Sequence, residues 1–294
     1  MNCPKCHNRA DKWGTYRRPK DQKRVQRYRC RECARSFSDQ TFAHDYRLRL
    51  RHFNQTVFRL LCSGVSQRRI AFIVGTKPVA VSRRVVLFGT VAERNLATYR
   101  RARPKAKHVL IDEMESFEHT KCKPLTIPIA VEEKTRKILS LDVGQIAAKG
   151  RLAAVARARY GLRRCRRGRV LKSVFRQLQT CCVPDSHFKS DESVHYPSRV
   201  RFYFPRASHE TFKGRRGCIV GQGELKAGGW DPLFSLNHTY AMFRDNLKTL
   251  SRRTWCTTKR PDRLRNLMHL YAWFHNLRLD TDRTVFLRSL AANN

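Results

Sequence analysis

Hydrophobic residues recur at helical spacing in the first third of the chain. The apolar positions between Phe53 and Leu61 follow this period, and a turn-like Ser-Gly-Val-Ser segment comes next. Ser66 is typical of the N-cap of a second helix, Gly75 ends that helix, and Pro78 suits the first position of a third. Three short helices with a glycine in the second turn predict a helix-turn-helix module, whose last helix enters the major groove of DNA.

The part of the chain beyond residue 107 has a different pattern. Apolar runs separated by turn residues predict three strands in a meander, a long helix, a fourth strand and a final long helix. These predicted elements span residues 107–113, 125–131, 137–143, 149–179, 186–191 and 233–251. This order is the ribonuclease H-like layout, in which the first and fourth strands are neighbours in a mixed sheet.

Two of the predicted strands end in an acidic residue. Asp112 closes the first strand and Asp191 closes the fourth, so the layout brings the two carboxylates together. Such a pair can hold two Mg²⁺ ions about 3.5–4 Å apart, as phosphodiester chemistry requires. Glu113 and Glu192 point to the opposite face of their strands from these aspartates, and we expect both to be surface charges.

The charge of the chain indicates a polyanionic partner. The 294 residues include 62 Lys and Arg against 23 Asp and Glu, a net charge of +39, and no acid occurs between Tyr46 and Ala92. A hydrophobic content of 41% allows a folded core, so nucleic acid leads the candidate partners. No apolar run approaches the ~20 residues of a membrane span, and the N-terminus lacks a secretory apolar segment. We therefore expect a cytoplasmic protein without membrane contact.

Four of the eleven cysteines form two Cys-x-x-Cys pairs, Cys3 with Cys6 and Cys30 with Cys33. Two such knuckles can enclose a tetrahedral, structural Zn²⁺. The alternative, a pair of redox-active motifs, lacks the βαβ surroundings that such motifs normally have. We expect the remaining cysteines to be small buried hydrophobes.

The order of these features resembles one family. Its matching motifs are Tyr28-Arg29-Cys30-Arg31-Glu32-Cys33-Ala34-Arg35-Ser36-Phe37, Ile111-Asp112-Glu113-Met114-Glu115-Ser116-Phe117, Lys189-Ser190-Asp191 and Arg252-Arg253-Thr254-Trp255-Cys256-Thr257-Thr258-Lys259. Over nearly its whole length the chain resembles bacterial insertion-sequence transposases that join a zinc ribbon, a helix-turn-helix and a DDE-type catalytic domain. The resemblance implies a multidomain α/β protein that binds element terminal repeats and catalyses Mg²⁺-dependent DNA cleavage and strand transfer.

The resemblance also implies the catalytic residues. Asp112 and Asp191 match the first two acids, and both would bind magnesium. Asn237 stands where the family commonly has Glu, and Arg244 lies two helical turns farther on. An asparagine amide can bind Mg²⁺ but contributes no charge. Other candidates for the third ligand are His238, Asp231 and Glu224, although helix capping is the simpler role for Asp231.

The expected nucleic-acid contacts lie on basic helices. The outer face of the third predicted helix carries Ser82, Arg83 and Arg84. The segment 151–176 has no acid and combines many cations with an apolar stripe, so we expect one helix that packs on the sheet and contacts phosphates. Its predicted contacts are Arg164, Arg166 and Arg167, and Arg244 is added from the last helix.

The predicted domains follow from these features. They are a zinc ribbon at 1–45, a helix-turn-helix at 46–92, a basic linker at 93–107, the catalytic domain at 108–280 and a tail at 281–294. The implied partners are double-stranded terminal repeats, target DNA and a second copy of the chain, and the implied location is the bacterial nucleoid. One alternative is a non-enzymatic DNA-binding protein, either a regulator or a decayed transposase. An RNA-binding or ribosome-associated protein ranks last, because it leaves the paired strand-end acids unexplained.

Overall fold

The structure is a computed structural model and describes residues 1–19, 22–43, 45, 46, 48, 50–213, 231–251 and 254–280. The chain forms two compact units, which divide between His52 and Phe53. Each unit has its own buried core. The two units are described in turn.

The N-terminal unit is a small three-stranded antiparallel sheet. Its strands β1 (Ala10–Arg17), β2 (Arg24–Cys30) and β3 (Ser36–Ser38) pair in that order, and a 3₁₀ turn follows at Asp39–Phe42. The buried cluster contains little beyond the four patterned cysteines, Ala10 and Phe37. So small an apolar core is typical of domains that a metal or disulfides must stabilise.

The second unit is a mixed α/β fold, as the sequence predicts. In chain order its elements are α1 (Asn54–Leu61), α2 (Gln67–Ile73), α3 (Pro78–Ala102), β4 (Ala106–Phe117), β5 (Pro124–Glu132), β6 (Ile138–Leu141), β7 (Gly144–Gln145), α4 (Leu152–Tyr160), α5 (Arg167–Gln179), β8 (Cys182–Asp191), α6 (Pro197–Tyr203), β9 (Ser208–Phe212), α7 (Phe234–Asn246) and α8 (Pro261–Asp280). Short 3₁₀ turns lie at Arg51–Phe53 and Lys248–Leu250. None of the helices described is both long and apolar enough to cross a bilayer.

The strands form one six-stranded sheet in the order β6-β5-β4-β8-β9, and β7 also pairs with β5. Strands β4, β5 and β6 are antiparallel, whereas β8 pairs parallel to β4 and β9 pairs parallel to β8. The strands that correspond to the first and fourth predicted strands, β4 and β8, are therefore neighbours. This confirms the predicted ribonuclease H-like layout.

Alternate residues of β4 pack against different helices. Val109 and Ile111 belong to the cluster with α5 and α6, while Leu110 and Met114 belong to the cluster with α7 and α8. The second cluster also contains buried residues of α1, α2 and α3, so these three helices share one continuous core with the sheet. Both faces of this part of the strand are apolar, as a strand covered on both sides requires.

Helix α3 is longer than the sequence predicts. It begins at Pro78 as expected, and the Ser66 hydroxyl caps α2 by accepting a hydrogen bond from Arg69 N at 3.3 Å. Residues 93–102, predicted as part of a linker, form the last turns of α3 instead. The reason is that Ala92 and Leu96 are both buried and α3 packs against α8. The domain boundaries themselves stay a prediction.

The single helix predicted over 149–179 is instead two helices, α4 and α5. Gly161 ends α4 in a left-handed conformation with φ of 71°, and the following residues up to Arg166 are not helical. The predicted apolar stripe is buried only in α5, where Leu171 and Phe175 pack on the sheet. Leu162 is 88% exposed, so the first half of the stripe does not reach the core.

A buried asparagine connects α8 to the edge strand β6. The Asn276 amide donates to Ile138 O at 2.9 Å and accepts from Ile138 N at 2.8 Å. One side chain therefore satisfies both backbone groups of an edge residue, which would otherwise be buried without partners. The neighbouring His275 contacts Arg136 O at 3.1 Å.

The contact between α3 and α8 provides a test of the fold. A Cβ atom at Gly89 would lie 2.4 Å from Asn266 Cβ and 2.6 Å from its Cα. We expect Gly89→Ala to lower the free energy of unfolding by about 1–3 kcal/mol, because the backbone of α8 would have to move. The control is Gly168→Ala, where the nearest atom is 3.7 Å away. It should be neutral or stabilise by up to ~1 kcal/mol. Equal denaturant midpoints for the two variants would contradict the packing.

Candidate functional site

The four patterned cysteines converge in the N-terminal unit. Their sulfurs lie within 4.8 Å of one another, with Cys3–Cys33 at 3.6 Å and Cys6–Cys30 at 3.4 Å. A tetrahedral zinc with Zn–S bonds of ~2.3 Å requires sulfur separations of about 3.8 Å. The cluster therefore has the dimensions and donor chemistry of a closed structural zinc site.

The two Cys-x-x-Cys segments have the same local conformation. In the first, Cys3 N donates to Asn8 O at 2.8 Å, and in the second, Cys30 N donates to Arg35 O at 3.0 Å. The residue after each second cysteine has positive φ, 62° at His7 and 53° at Ala34. Such a conformation is uncommon outside glycine and is retained where surrounding contacts require it. The repeat indicates two matched knuckles that face one centre.

Asp112 and Asp191 lie side by side on the larger unit. The last parallel pair between β4 and β8 is Ile111 with Ser190, and each aspartate comes one residue later on its strand. Partners in a sheet share a face, so both carboxylates point to the side of α7. The predicted convergence is therefore present. Asp191 ends β8 as predicted, whereas β4 continues to Phe117, so Asp112 lies in the middle of its strand and not at its end.

The electrostatics of Asp112 reflect this closeness. Burial raises the pKa of Asp112 to about 7, and the charge of Asp191 adds to the rise. Hydrogen bonds from Glu113 N, at 2.6 Å, and from the Tyr196 hydroxyl offset part of it. A buried carboxylate whose ionisation is opposed by burial and by a neighbouring carboxylate forms, with that neighbour, a site that favours a cation.

Two buried tyrosines that the sequence analysis missed surround this pair. Tyr196 is 1% exposed, and burial followed by the charge of Asp112 raises its pKa. Tyr240 of α7 is 5% exposed, and burial and then Asp112 raise its pKa in the same way. The Tyr240 hydroxyl has no hydrogen-bond partner among the described residues. Its position one helical turn after Asn237 is a signal that could have been recognised.

Glu113 is not the surface charge that the sequence predicts. Its side chain is 10% exposed, forms an ion pair with Arg167 Nε at 2.8 Å and accepts a hydrogen bond from the Thr126 hydroxyl at 2.7 Å. The reason is that the face of β4 opposite Asp112 is covered by the start of α5. Arg167 also contacts His195 at 3.1 Å, so its guanidinium is engaged within the protein rather than directed at a ligand.

The candidates for a third ligand lie in different places. Asn237 is exposed on α7 and donates to Asp231 Oδ2 at 2.9 Å. Asp231 also accepts from Leu233 N at 2.9 Å, which fits its predicted capping role. His238 contacts Arg136 at 3.3 Å in the turn between β5 and β6, and Glu224 lies outside the described residues. No carboxylate of the described part of α7 replaces the family's glutamate at Asn237.

The predicted DNA contacts on α3 differ in their exposure to solvent. Arg83 is exposed and Ser82 is half-buried, as an outer face requires. Arg84 is only 2% exposed, and it donates to Asn54 Oδ1 at 2.9 Å and to Ala80 O at 3.1 Å. Its predicted position on the outer face is wrong, because α1 covers this side of α3.

The remaining predicted contacts lie between α4 and α5 and on α7. Arg164 and Arg166 are exposed in the segment between α4 and α5. Arg244 is half-buried on α7, where it lines a cavity together with Lys248. These three cations remain predicted contacts, whereas Arg167 forms an ion pair with Glu113.

Comparisons with known proteins find likeness only among solved structures. No family model matches the chain, and neither does any curated protein. The Mos1 mariner paired end complex with Mn matches at 14% identity and TM-score 0.29, over 76% of this chain and 70% of that one. The Mos1 Strand Transfer Complex matches at 12% identity and TM-score 0.29, over 81% and 74%. The Mos1 transposase paired-end complex with left transposon end matches at 14% and 0.25, over 75% and 76%.

The raised pKa of Asp112 predicts how stability depends on pH. The pKa of Asp112 in the folded protein, about 7, exceeds the ordinary value of 3.8, so ionisation of this carboxyl destabilises the folded state. The loss of stability is absent below pH 4, where the group is protonated in both states, and complete above pH 7. Without added divalent metal, Asp112→Asn should therefore raise the free energy of unfolding at pH 8, by at most ~4 kcal/mol, and change it little at pH 4. The control is Asp185→Asn, an exposed carboxylate on the same sheet. If both variants match the wild type at pH 8 in denaturant unfolding, the burial of Asp112 is contradicted.

The cysteine cluster predicts one bound zinc per chain. We expect Cys33→Ser to lose most of the zinc that elemental analysis finds in the purified wild-type protein, because three thiolates bind it more weakly. Cys165→Ser removes an exposed cysteine outside the cluster and should retain it. Full zinc content in the Cys33→Ser variant would exclude this site.

Proposed function

We propose that the chain is a DDE-type transposase that uses Asp112, Asp191 and Asn237 for Mg²⁺-dependent DNA cleavage and strand transfer. The observation that carries the proposal is the pairing of β4 with β8. It sets two carboxylates next to each other at one end of a ribonuclease H-like sheet. An isolated acid on a strand is ordinary, but two on neighbouring parallel strands, one of them buried with a raised pKa, form a candidate cation site.

The residues present fit a divalent metal. Mg²⁺ prefers oxygen ligands and keeps several waters, and Asp112 and Asp191 would hold it. The unpaired hydroxyl of buried Tyr240 provides a further polar group beside Asp112 that such a water could satisfy. When bound, the metal would supply activation of an attacking oxygen and stabilisation of the leaving oxygen.

The surrounding side chains position the carboxylates. Tyr196 donates a hydrogen bond to Asp112 and limits its rotation. Arg167 forms an ion pair with Glu113 on the other face of β4. This pairing reduces the repulsion between the Glu113 carboxylate and Asp112. The exposed amide of Asn237 would complete the metal site by turning from Asp231.

The basic surfaces would bind the DNA. We take the four-cysteine ribbon and the helices α1–α3 as the modules that recognise the double-stranded terminal repeats, with Ser82 and Arg83 on the exposed side of α3. Arg164, Arg166 and Arg244 would contact phosphates of element or target DNA. Joining two element ends requires two active sites, so we propose a homo-oligomer acting in a bacterial nucleoid.

One observation favours the alternative of a non-catalytic DNA-binding protein. Asn237 brings no charge and its amide is bonded to Asp231, so the third ligand is weaker than a carboxylate. A transposase that has lost its chemistry, or a regulator derived from one, would retain the DNA-binding modules. Either protein would bind the terminal repeats, but only the transposase would cleave them.

The experiment uses the DNA that flanks the gene. Inverted repeats found there provide duplex substrates for binding and for cleavage with Mg²⁺ or Mn²⁺. We expect Asp191→Asn to lower cleavage by at least about 100-fold while its affinity for the repeats stays within about twofold. Asp185→Asn, on the same strand but exposed and away from Asp112, should cleave like the wild type.

The outcomes separate the two functions. Binding without cleavage by the wild type favours the non-catalytic protein, and restored cleavage in Asn237→Glu would then identify decay at the third ligand. Loss of binding in Asp191→Asn would contradict the separation of DNA binding from chemistry.

A further inference from the structure

A basic groove runs along the β6 edge of the sheet, apart from the carboxylate pair. Its main cavity has a volume of about 710 Å³ and lies between α5 on one side and α3 and α8 on the other. Neither Asp112 nor Asp191 is among its described lining residues. Six cations line it, namely Arg100, Arg101, Arg169, Lys172, Arg176 and Arg265.

The positive charge of this groove is largely uncompensated. Asp142 is one of two acids in the lining, and Arg265 pairs with it at 2.7 Å. The other acid, Glu93, has a side chain that is 56% exposed. Among the described residues, the five remaining cations form no ion pair. Like charges gathered in a concavity repel one another, so the arrangement favours an anionic ligand.

Arg100 lies deepest among these five cations. It is half-buried on α3, and burial lowers the pKa of its guanidinium, an effect that the charge of Arg101 adds to and the charges of Cys181 and Glu93 partly offset. A partly buried guanidinium with no carboxylate at ion-pair distance gains from a bound anion.

The α5 wall has a regular spacing. Arg169, Lys172 and Arg176 occupy positions i, i+3 and i+7, so they lie on one side of the helix over about 10 Å. A row of this length can reach about two or three phosphates of one DNA strand.

The groove continues toward the start of α5. A second cavity of about 300 Å³ shares Asp142, Arg169 and Arg265 with the first and extends to Arg166 and Gln145. The described lining of both cavities contains no aromatic side chain on which a base could stack. A long, basic channel of this kind fits a backbone and does not read bases.

The geometry points to a second DNA site: this groove binds the phosphodiester backbone of a DNA strand independently of its sequence. The inference rests on the proposed function only in taking DNA as the ligand. The groove positions a part of the DNA that is not at the carboxylate pair, so it contributes to affinity and orientation rather than to bond cleavage.

The test is the salt dependence of binding. The variant Arg169→Gln/Lys172→Gln/Arg176→Gln removes three exposed cations from the α5 wall. The control Lys134→Gln/Arg201→Gln/Arg206→Gln removes the same charge from exposed positions outside the groove. The full chain is titrated with unrelated duplexes in metal-free buffer between about 0.1 and 0.3 M salt.

We expect the groove variant to lose at least about tenfold in affinity on every duplex. The slope of log K against log salt should fall by about 2–3, since each lost phosphate contact lowers it by ~0.9. The control should change the slope by less than one. A wild type that binds no duplex overturns the proposed function and this inference together. A groove variant with an unchanged slope, or the same change in the control, overturns the groove alone. Tighter binding of RNA than of DNA by the wild type, lost in the groove variant, would overturn the DNA assignment.

Discussion

The parallel pairing of β4 with β8 is the contact on which the arrangement of this molecule depends. It joins two segments that are far apart in the chain, and its register decides which side chains share a face. A slip of one residue would send one aspartate toward α5 and leave the other facing α7. The pairing is fixed by apolar residues on both sides, since Val109 and Phe188 pack against α5 while Leu110 packs against the opposite helices. The hydrophobic core therefore sets the position of the charged groups.

Both the negative charges of the carboxylate site and the positive charges of the groove have few ion-pair partners among the described residues. The charge of Asp191 opposes the ionisation of buried Asp112, and the guanidinium of Arg100 is half-buried among other cations. By contrast, Glu113 beside the carboxylates and Asp142 in the groove each form an ion pair with an arginine. Among the described residues, Asp112, Asp191 and Arg100 form no ion pair, and these are the groups for which we propose a bound cation or polyanion.

Local patterns predicted much of the fold. The order of strands, the cap at Ser66 and the start of α3 follow from periodicity and from turn chemistry, and the knuckles follow from cysteine spacing. The errors come from tertiary contacts that no local window contains. Arg84 is buried because α1 covers it, Glu113 is paired because α5 begins beside it, and Gly161 divides a helix whose composition favours continuity. Tyr240 was missed because a tyrosine on an apolar helix face reads as core until its hydroxyl is seen to face a carboxylate.

The bridge from Asn276 to Ile138 also bears on how this chain can assemble. An edge strand normally offers its free N–H and C=O groups to any extended segment that approaches. Here one amide already occupies both groups of Ile138, so the sheet cannot add a strand of another molecule at that residue without breaking two hydrogen bonds. Strand addition to β6 is therefore blocked at its first residue, and an association of copies through this edge would first have to displace the Asn276 side chain.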